Sequence, residues 1–183
     1  MRFRTASCLA AVLAGQGCSS QPKPPDPAAL VEKLKSPDAA VSGAASLELL
    51  RLGEPAAPAL VKLLQDPDPT LRALAARTFW GMGARAGNAA VPPLADALGD
   101  ADASVRVGAA MALENMGPLA APAVPALVRA LRDPDAKVRP WAARALGSIG
   151  PAAEAAVPAL ERAGRLDGVQ GPAEEAIRKI RTR

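Results

Sequence analysis

The chain has 183 residues, 50% hydrophobic and only 2% aromatic, with a formal net charge of +4. It carries no histidine, no tyrosine and two cysteines. That composition removes the usual general base, the commonest metal ligand and, one thiol aside, the thiolate nucleophile, so we expect no enzyme, no metal and no cofactor. Setting aside Arg2 and Arg4, 20 basic residues face 18 acidic ones, a balance too even for a nucleic-acid-binding surface.

Residues 1–18 read as an export signal. Arg2 and Arg4 form a basic start, Ala6 to Ala14 is a short apolar run, and small residues follow at Gly15 and Gly17. The run is shorter than the roughly 20 residues that span a bilayer. Leu13-Ala14-Gly15-Gln16-Gly17-Cys18 resembles a bacterial lipobox, although Gly15 stands where that pattern prefers leucine; an ordinary cleaved signal is the other reading. The resemblance implies lipidation of Cys18 and a protein exported to the cell envelope, lipid-anchored to a membrane and facing the periplasm. The other cysteine, Cys8, lies inside the signal, so no internal disulfide is expected. Residues 19–25 are polar and proline-rich, a suitable tether.

From Asp26 onward one pattern recurs. Ser36-Pro37-Asp38 leads to Val41 and Gly53; Asp66-Pro67-Asp68 to Leu71-Arg72 and Gly83; Asp100-Ala101-Asp102 to Val105-Arg106 and Gly117; Asp133-Pro134-Asp135 to Val138-Arg139 and Gly150. The glycines are separated by 30, 34 and 33 residues, a period of stacked helical repeats. Ser36, Asp66, Asp100 and Asp133 are competent N-caps, and Pro37, Pro67 and Pro134 suit a first helical position. The second aspartate of each unit (38, 68, 102, 135) then falls in the first turn. Each helix stops at a glycine suited to the left-handed region, followed in two units by Pro118 or Pro151.

Short outer helices carry apolar residues at i, i+3 and i+4: Leu30 and Leu34; Leu60, Leu63 and Leu64; Leu94 and Leu98; Leu127 and Leu131. Inner helices put Val41, Ala45, Leu49 and Leu52 on one stripe, matched by Val138, Ala142, Leu146 and Ile149. A last helix from about Pro172, apolar at Ala173, Ala176, Ile177 and Ile180, serves as a cap. The fold class expected is all-α: a right-handed α-solenoid of about four helix pairs plus a C-terminal capping helix. Its domain covers residues 26–183, with units at about 26–57, 58–91, 92–124, 125–157 and 158–183, and we expect a monomer.

The units resemble HEAT repeats of the phycobilisome-lyase-like kind, the fourth most of all, from Asp133-Pro134-Asp135-Ala136-Lys137-Val138-Arg139 to Gly150. In that family the aspartate before the inner helix and the arginine six residues later form a ladder between units. The resemblance maps it onto Asp66 and Arg72, Asp100 and Arg106, Asp133 and Arg139; the first unit departs, with Ser36 and Ser42. These arginines therefore read as structural ion-pair partners rather than phosphate ligands.

Two functions are consistent with this pattern. One is a non-catalytic interaction scaffold that holds a protein or peptide in its groove; the other, implied by the resemblance, is a bilin-handling protein. Ser104 and Ser148 have no base to activate them. The Gly81, Gly83 and Gly87 turn follows a helix rather than the strand that a dinucleotide site needs. With each ladder position as zero, positions +1, +5 and +8 fall opposite the core stripe. They name the groove: Leu47, Leu50, Arg77, Trp80, Val107, Met111, Glu114 and Arg144. Apolar groups beside arginines are enriched at interfaces, while packing against adjacent repeats is the alternative, and the expected role of Trp141.

Overall fold

The computed structural model describes residues 25–182. Residues 1–24, including Cys18, and residue 183 lie outside them. Ten α-helices follow in order: α1 Pro27–Leu34, α2 Ala39–Leu52, α3 Ala57–Leu63, α4 Pro69–Met82, α5 Val91–Ala97, α6 Ala103–Met116, α7 Val124–Ala130, α8 Val138–Ile149, α9 Val157–Ala163 and α10 Gln170–Arg181. Odd-numbered helices are short and even-numbered ones long. No strand occurs among the described residues, and none of their helices is long and apolar enough to cross a membrane.

Each unit begins with two nested turns, which places the N-cap of α2, α4 and α6 two residues later than the sequence suggested. Asp66 Oδ1 accepts the Asp68 N–H at 3.0 Å, and Asp68 Oδ1 in turn accepts the Thr70 N–H at 2.8 Å. The second aspartate is therefore the cap of α4, as Asp38 is of α2 and Asp102 of α6. Ser36, Asp100 and Asp133 shape the turn before it. Either acid has the same local chemistry, because an Asx side chain binds the N–H two residues on wherever the chain turns. In the fourth unit Asp135 Oδ1 accepts the Lys137 N–H, and α8 starts at Val138.

The long helices end as expected, at Gly53, Gly83, Gly117 and Gly150, all with positive φ. Gly150 has φ 74° and ψ −144°, which is not the left-handed helical well but a region that residues with a Cβ avoid. From there the chain enters a 3₁₀ turn, Gly150–Ala156, that delivers it to α9.

Long helices pack directly on one another, α4 on α6, α6 on α8 and α8 on α10, whereas the short helices barely touch their counterparts. This splay puts the long helices on the concave side. Small residues set the spacing. A Cβ on Gly108 of α6 would lie 2.8 Å from the Ala76 Cβ of α4, and one on Gly147 of α8 would lie 2.8 Å from the Ala176 Cα of α10. The outer-helix leucines and the stripe of α8 are buried, as are Ala45 and Leu49 of α2. Val41 departs from its stripe and is 40% exposed, because no unit precedes it among the described residues. The cap α10 buries Ala173, Ala176 and Ile180, with Ile177 half-buried.

The ladder exists, and its carboxylate pairs join successive units. Arg72 Nε and Nη2 donate to the two carboxylate oxygens of Asp100, both at 2.8 Å, and Arg106 holds Asp133 at the same distances. Within its own unit each arginine reaches only backbone: Arg72 donates to the Asp66 and Pro67 carbonyls, Arg106 to the Asp100 and Ala101 carbonyls. The ladder between units mapped onto Asp66, Arg72, Asp100, Arg106, Asp133 and Arg139 is thus made by Arg72 with Asp100 and Arg106 with Asp133; within a unit, six residues of helix start bring the guanidinium to the turn's carbonyls, not to its carboxylate. Among the described residues the only cation beside the Asp66 carboxylate is Lys35, whose Nζ lies 3.9 Å away.

Candidate functional site

The concave face carries an open hollow of about 380 Å³ formed by α4, α6 and the turn before α8. Arg77 and Trp80, one turn apart on α4, form one wall; Val107 and Met111, one turn apart on α6, form the other. Ala103, Ser104 and Gly108 complete the α6 side, and Asp135 with Lys137 closes the end. Gly108 brings the walls together, since any side chain there would push α6 away from Ala76. The Trp80 carbonyl accepts the Asn115 Nδ2 amide at 2.7 Å, which ties the end of α4 to α6. The Trp80 side chain is nevertheless 41% exposed. An aromatic ring on a concave face, between an arginine and two half-buried aliphatic chains, offers area and orientation at little entropic cost.

Of the eight groove positions named from the helical wheel, Arg77, Trp80, Val107 and Met111 line this hollow and four do not. Leu50 is half-buried and turns its Cδ2 toward Gly81 of α4. Leu47 is 68% exposed near the N-terminal edge. Glu114 is half-buried away from the hollow, and exposed Arg144 lies over the Trp141 ring, 5.1 Å from its centroid. Trp141 itself packs against the core as expected. The wheel missed Asp135 and Lys137. They belong to a turn rather than a helix, and only the register of α8 against α6 brings that turn over the groove.

The strongest electrostatic feature outside the hollow is the ladder. The Arg72 hydrogen bond holds the Asp100 carboxyl below its ordinary value against the cost of desolvation, helped by the Asp102 N–H. For Asp133 burial pushes upward, and the Arg106 hydrogen bond, the Asp135 N–H and the charges of Arg106 and Arg139 together outweigh it, so the net shift is also downward. Both carboxylates are thus consumed by structure.

An all-α stack of helix pairs with this punctuation defines a helical-repeat solenoid. The family model for HEAT repeats matches residues 27–114 and again 91–178, and the chain belongs to the HEAT-repeat family. Among solved structures, the chain is similar to the complex of CpcE and CpcF of phycocyanin lyase from Nostoc sp. PCC7120 (24% identity, 93% of this chain and 70% of that one, TM-score 0.66). It is also similar to a designed armadillo repeat protein in complex with the peptide (KR)4 (21% identity, 84% and 81%, TM-score 0.64). A further similar structure is an engineered protein (25% identity, 85% and 81%, TM-score 0.62). No curated protein matches the chain.

Proposed function

We propose that the protein is a non-catalytic scaffold that holds a protein or peptide segment in its concave groove, anchored on Trp80. The observation that carries this reading is the hollow itself: Trp80, Val107 and Met111 between Arg77 and Lys137, with Asp135 at one end. That arrangement suits an extended segment with one apolar side chain seated on Trp80 and an acidic one facing Arg77 or Lys137. The designed armadillo neighbour in complex with (KR)4, and another described for modular peptide recognition (TM-score 0.56), support peptide binding by this architecture.

The test uses peptides selected from a random library against the full chain. Because Trp80 and Trp141 are the only tryptophans, a Trp141→Phe background makes Trp80 the sole emitter. Selected peptides should shift its emission, and Arg77→Ala with Trp80→Ala should abolish binding while leaving Tm within a few degrees. Peptides that bind the double variant equally well would refute the groove assignment.

The phycocyanin-lyase neighbour supports a second reading, in which the groove holds a bilin. Mixing purified protein with free bilins and recording the absorbance spectrum separates the two, since a red shift on stoichiometric addition belongs only to this reading. Envelope anchoring is the remaining part of the proposal: Cys18 carries a lipid, and residues 19–25 hold the solenoid off the membrane. Mass spectrometry of the mature N-terminus tests it, and an unmodified start downstream of Cys18 contradicts it.

A further inference from the structure

At three junctions between short helices the outer surface repeats a hollow at equivalent positions, and its charge changes along the stack. Between α1 and α3 it is lined by Asp26, Glu32 and Asp66 against Lys35 and Lys62. Between α5 and α7 it has Asp96 and Asp133 against Arg129 and Arg132. Between α7 and α9 the hollow is larger, about 770 Å³, and contains Arg129, Arg132, Arg139 and Arg162, with no carboxylate among the described residues that line it. Its remaining surface is apolar, from Val128, Leu131, Ala159, Ala163 and Leu166.

Two repeat positions cause this, and at the first of them Arg129 stands where the other hollows carry Glu32 and Asp96. At the second, Asp66 and Asp133 line the first two hollows; the corresponding residue of the last unit is Leu166, which is 38% exposed. Arg72 and Arg106 each grip the aspartate of the next unit through two N–H groups. Arg139 is fixed to the same kind of turn, donating Nε to the Asp133 carbonyl at 2.7 Å and Nη2 to the Pro134 carbonyl at 3.2 Å. It shares its hollow with Leu166, at the position where its predecessors hold a carboxylate. Among the described residues none of the four arginines forms an ion pair; Glu161, the nearest acid in sequence to Arg162, pairs instead with Arg181 at 3.4 Å. The Arg139 guanidinium spends two of its five N–H donors on carbonyls, which leaves three in a fixed plane, a geometry matched to a carboxylate.

We propose that this hollow is a second binding site, separate from the concave groove, for an acidic peptide segment of a partner protein. An aspartate or glutamate side chain is received by Arg139 and Arg132, and an adjacent aliphatic side chain rests on Val128, Ala159 and Leu166. The peptide occupant follows from the chain's own chemistry. In the two preceding units this arginine takes a carboxylate carried on polypeptide beside apolar side chains; the fourth unit keeps the arginine, and the unit after it keeps the apolar floor while lacking the acid.

The test uses the full chain and a fluorescein-labelled peptide alternating Asp and Leu, with the Asn–Leu peptide as its control, followed by anisotropy. Arg132→Gln with Arg162→Gln removes two exposed side chains that make no hydrogen bond in the structure, so the fold is left intact. Arg165→Gln with Arg178→Gln lowers the net charge equally but leaves the hollow unchanged. The wild type should bind the Asp–Leu peptide at least about tenfold more tightly than its control. The first double variant should lose about tenfold, and the second should bind as the wild type does. Equal loss in both double variants would reduce the effect to net charge and overturn the site. Arg132/Arg162-dependent binding of inorganic phosphate or phosphatidylglycerol vesicles without binding of the Asp–Leu peptide would overturn the peptide assignment, as would equal affinity for both peptides or no binding of any probe. Arg77→Ala with Trp80→Ala should leave Asp–Leu binding unchanged, so this site and the groove fail or stand separately.

Discussion

The two ends of the solenoid are built from the same repeat, yet they cohere differently. In the first unit α2 buries only Ala45 and Leu49, leaves Val41 and Leu47 exposed, and touches α4 far less than α4 touches α6. The long helices α6 and α8 each have a long helix on either side, with Gly108 against Ala76 and Gly147 against Ala176, and ion pairs cross from unit to unit. The first unit has Ser42 where the others have the ladder arginine, so among the described residues no guanidinium–carboxylate pair ties it to the second; Lys35 stands 3.9 Å from Asp66, and Arg85 donates to the Arg51 carbonyl at 2.8 Å. Stability in a repeat stack is a sum of unit and neighbour-interface contributions. It should therefore rise from the first unit to the middle, and the first unit should open locally before the rest.

The largest effect should come from the best-packed point. Leu113 is fully buried on α6, the helix that packs on both α4 and α8. Leu113→Ala should cost about 2–5 kcal/mol, and it should weaken the interfaces on both sides, so the two ends lose their coupling. Calorimetry of this variant should show a broadened transition, or two. Strictly two-state melting with undiminished cooperativity would contradict a stack of neighbour-coupled units.

Next in size is the ladder. Arg106→Met keeps the stem but leaves Asp133 without its guanidinium, a loss of about 1–3 kcal/mol for charge-assisted hydrogen bonds reached by some solvent. The same pairs set the acid response. Asp100 and Asp133 both titrate below the ordinary carboxyl value of 3.8 when folded. Their contribution is thus complete above that value and disappears as pH falls below it through the folded values. Tm of the wild type should drop steeply below about pH 4, and Arg106→Met should drop less, because its Asp133 no longer gains from ionisation. Parallel acid curves for the two proteins would show that the ladder does not govern the acid limb.

Why some of this was legible in the sequence and some was not is a matter of range. Helix stops at Gly53, Gly83, Gly117 and Gly150 are local decisions, written in one residue each, and so are the leucine stripes. Which of two aspartates caps a helix is also local but degenerate, because Asp66 and Asp68 can each accept an N–H two residues on. The ladder's direction is not local at all. Arg72 lies six residues from Asp66 and 28 from Asp100, and only the stacking of units shows that the farther acid takes the guanidinium. The groove divides in the same way: the wheel found Arg77, Trp80, Val107 and Met111, and the register between helices added Asp135 and Lys137. The cationic hollow had a signal in the repeat alignment, Leu166 in the place of Asp133, and that signal acquires meaning only once Arg139 is seen beside it.

The smallest effects should come from glycines, and their sign should differ between the two regions. Gly43 sits inside α2, where an added Cβ would meet nothing within 4 Å. Gly43→Ala should therefore stabilise by roughly 0.5–1 kcal/mol, through helix propensity alone. Gly108 sits inside α6, where the same methyl would approach the Ala76 Cβ to 2.8 Å. Both positions belong to helices with ordinary backbone angles, so propensity favours alanine equally at each. At Gly108 the overlap with α4 dominates, and overpacking of this kind costs about 1–3 kcal/mol. Gly108→Ala with Ala76→Gly should restore much of the loss, since the methyl is merely moved across the interface. Urea denaturation of the three variants measures all of this; stabilisation by Gly108→Ala would mean that α4 and α6 are not in contact there, and the tight middle of the stack would lose its physical basis.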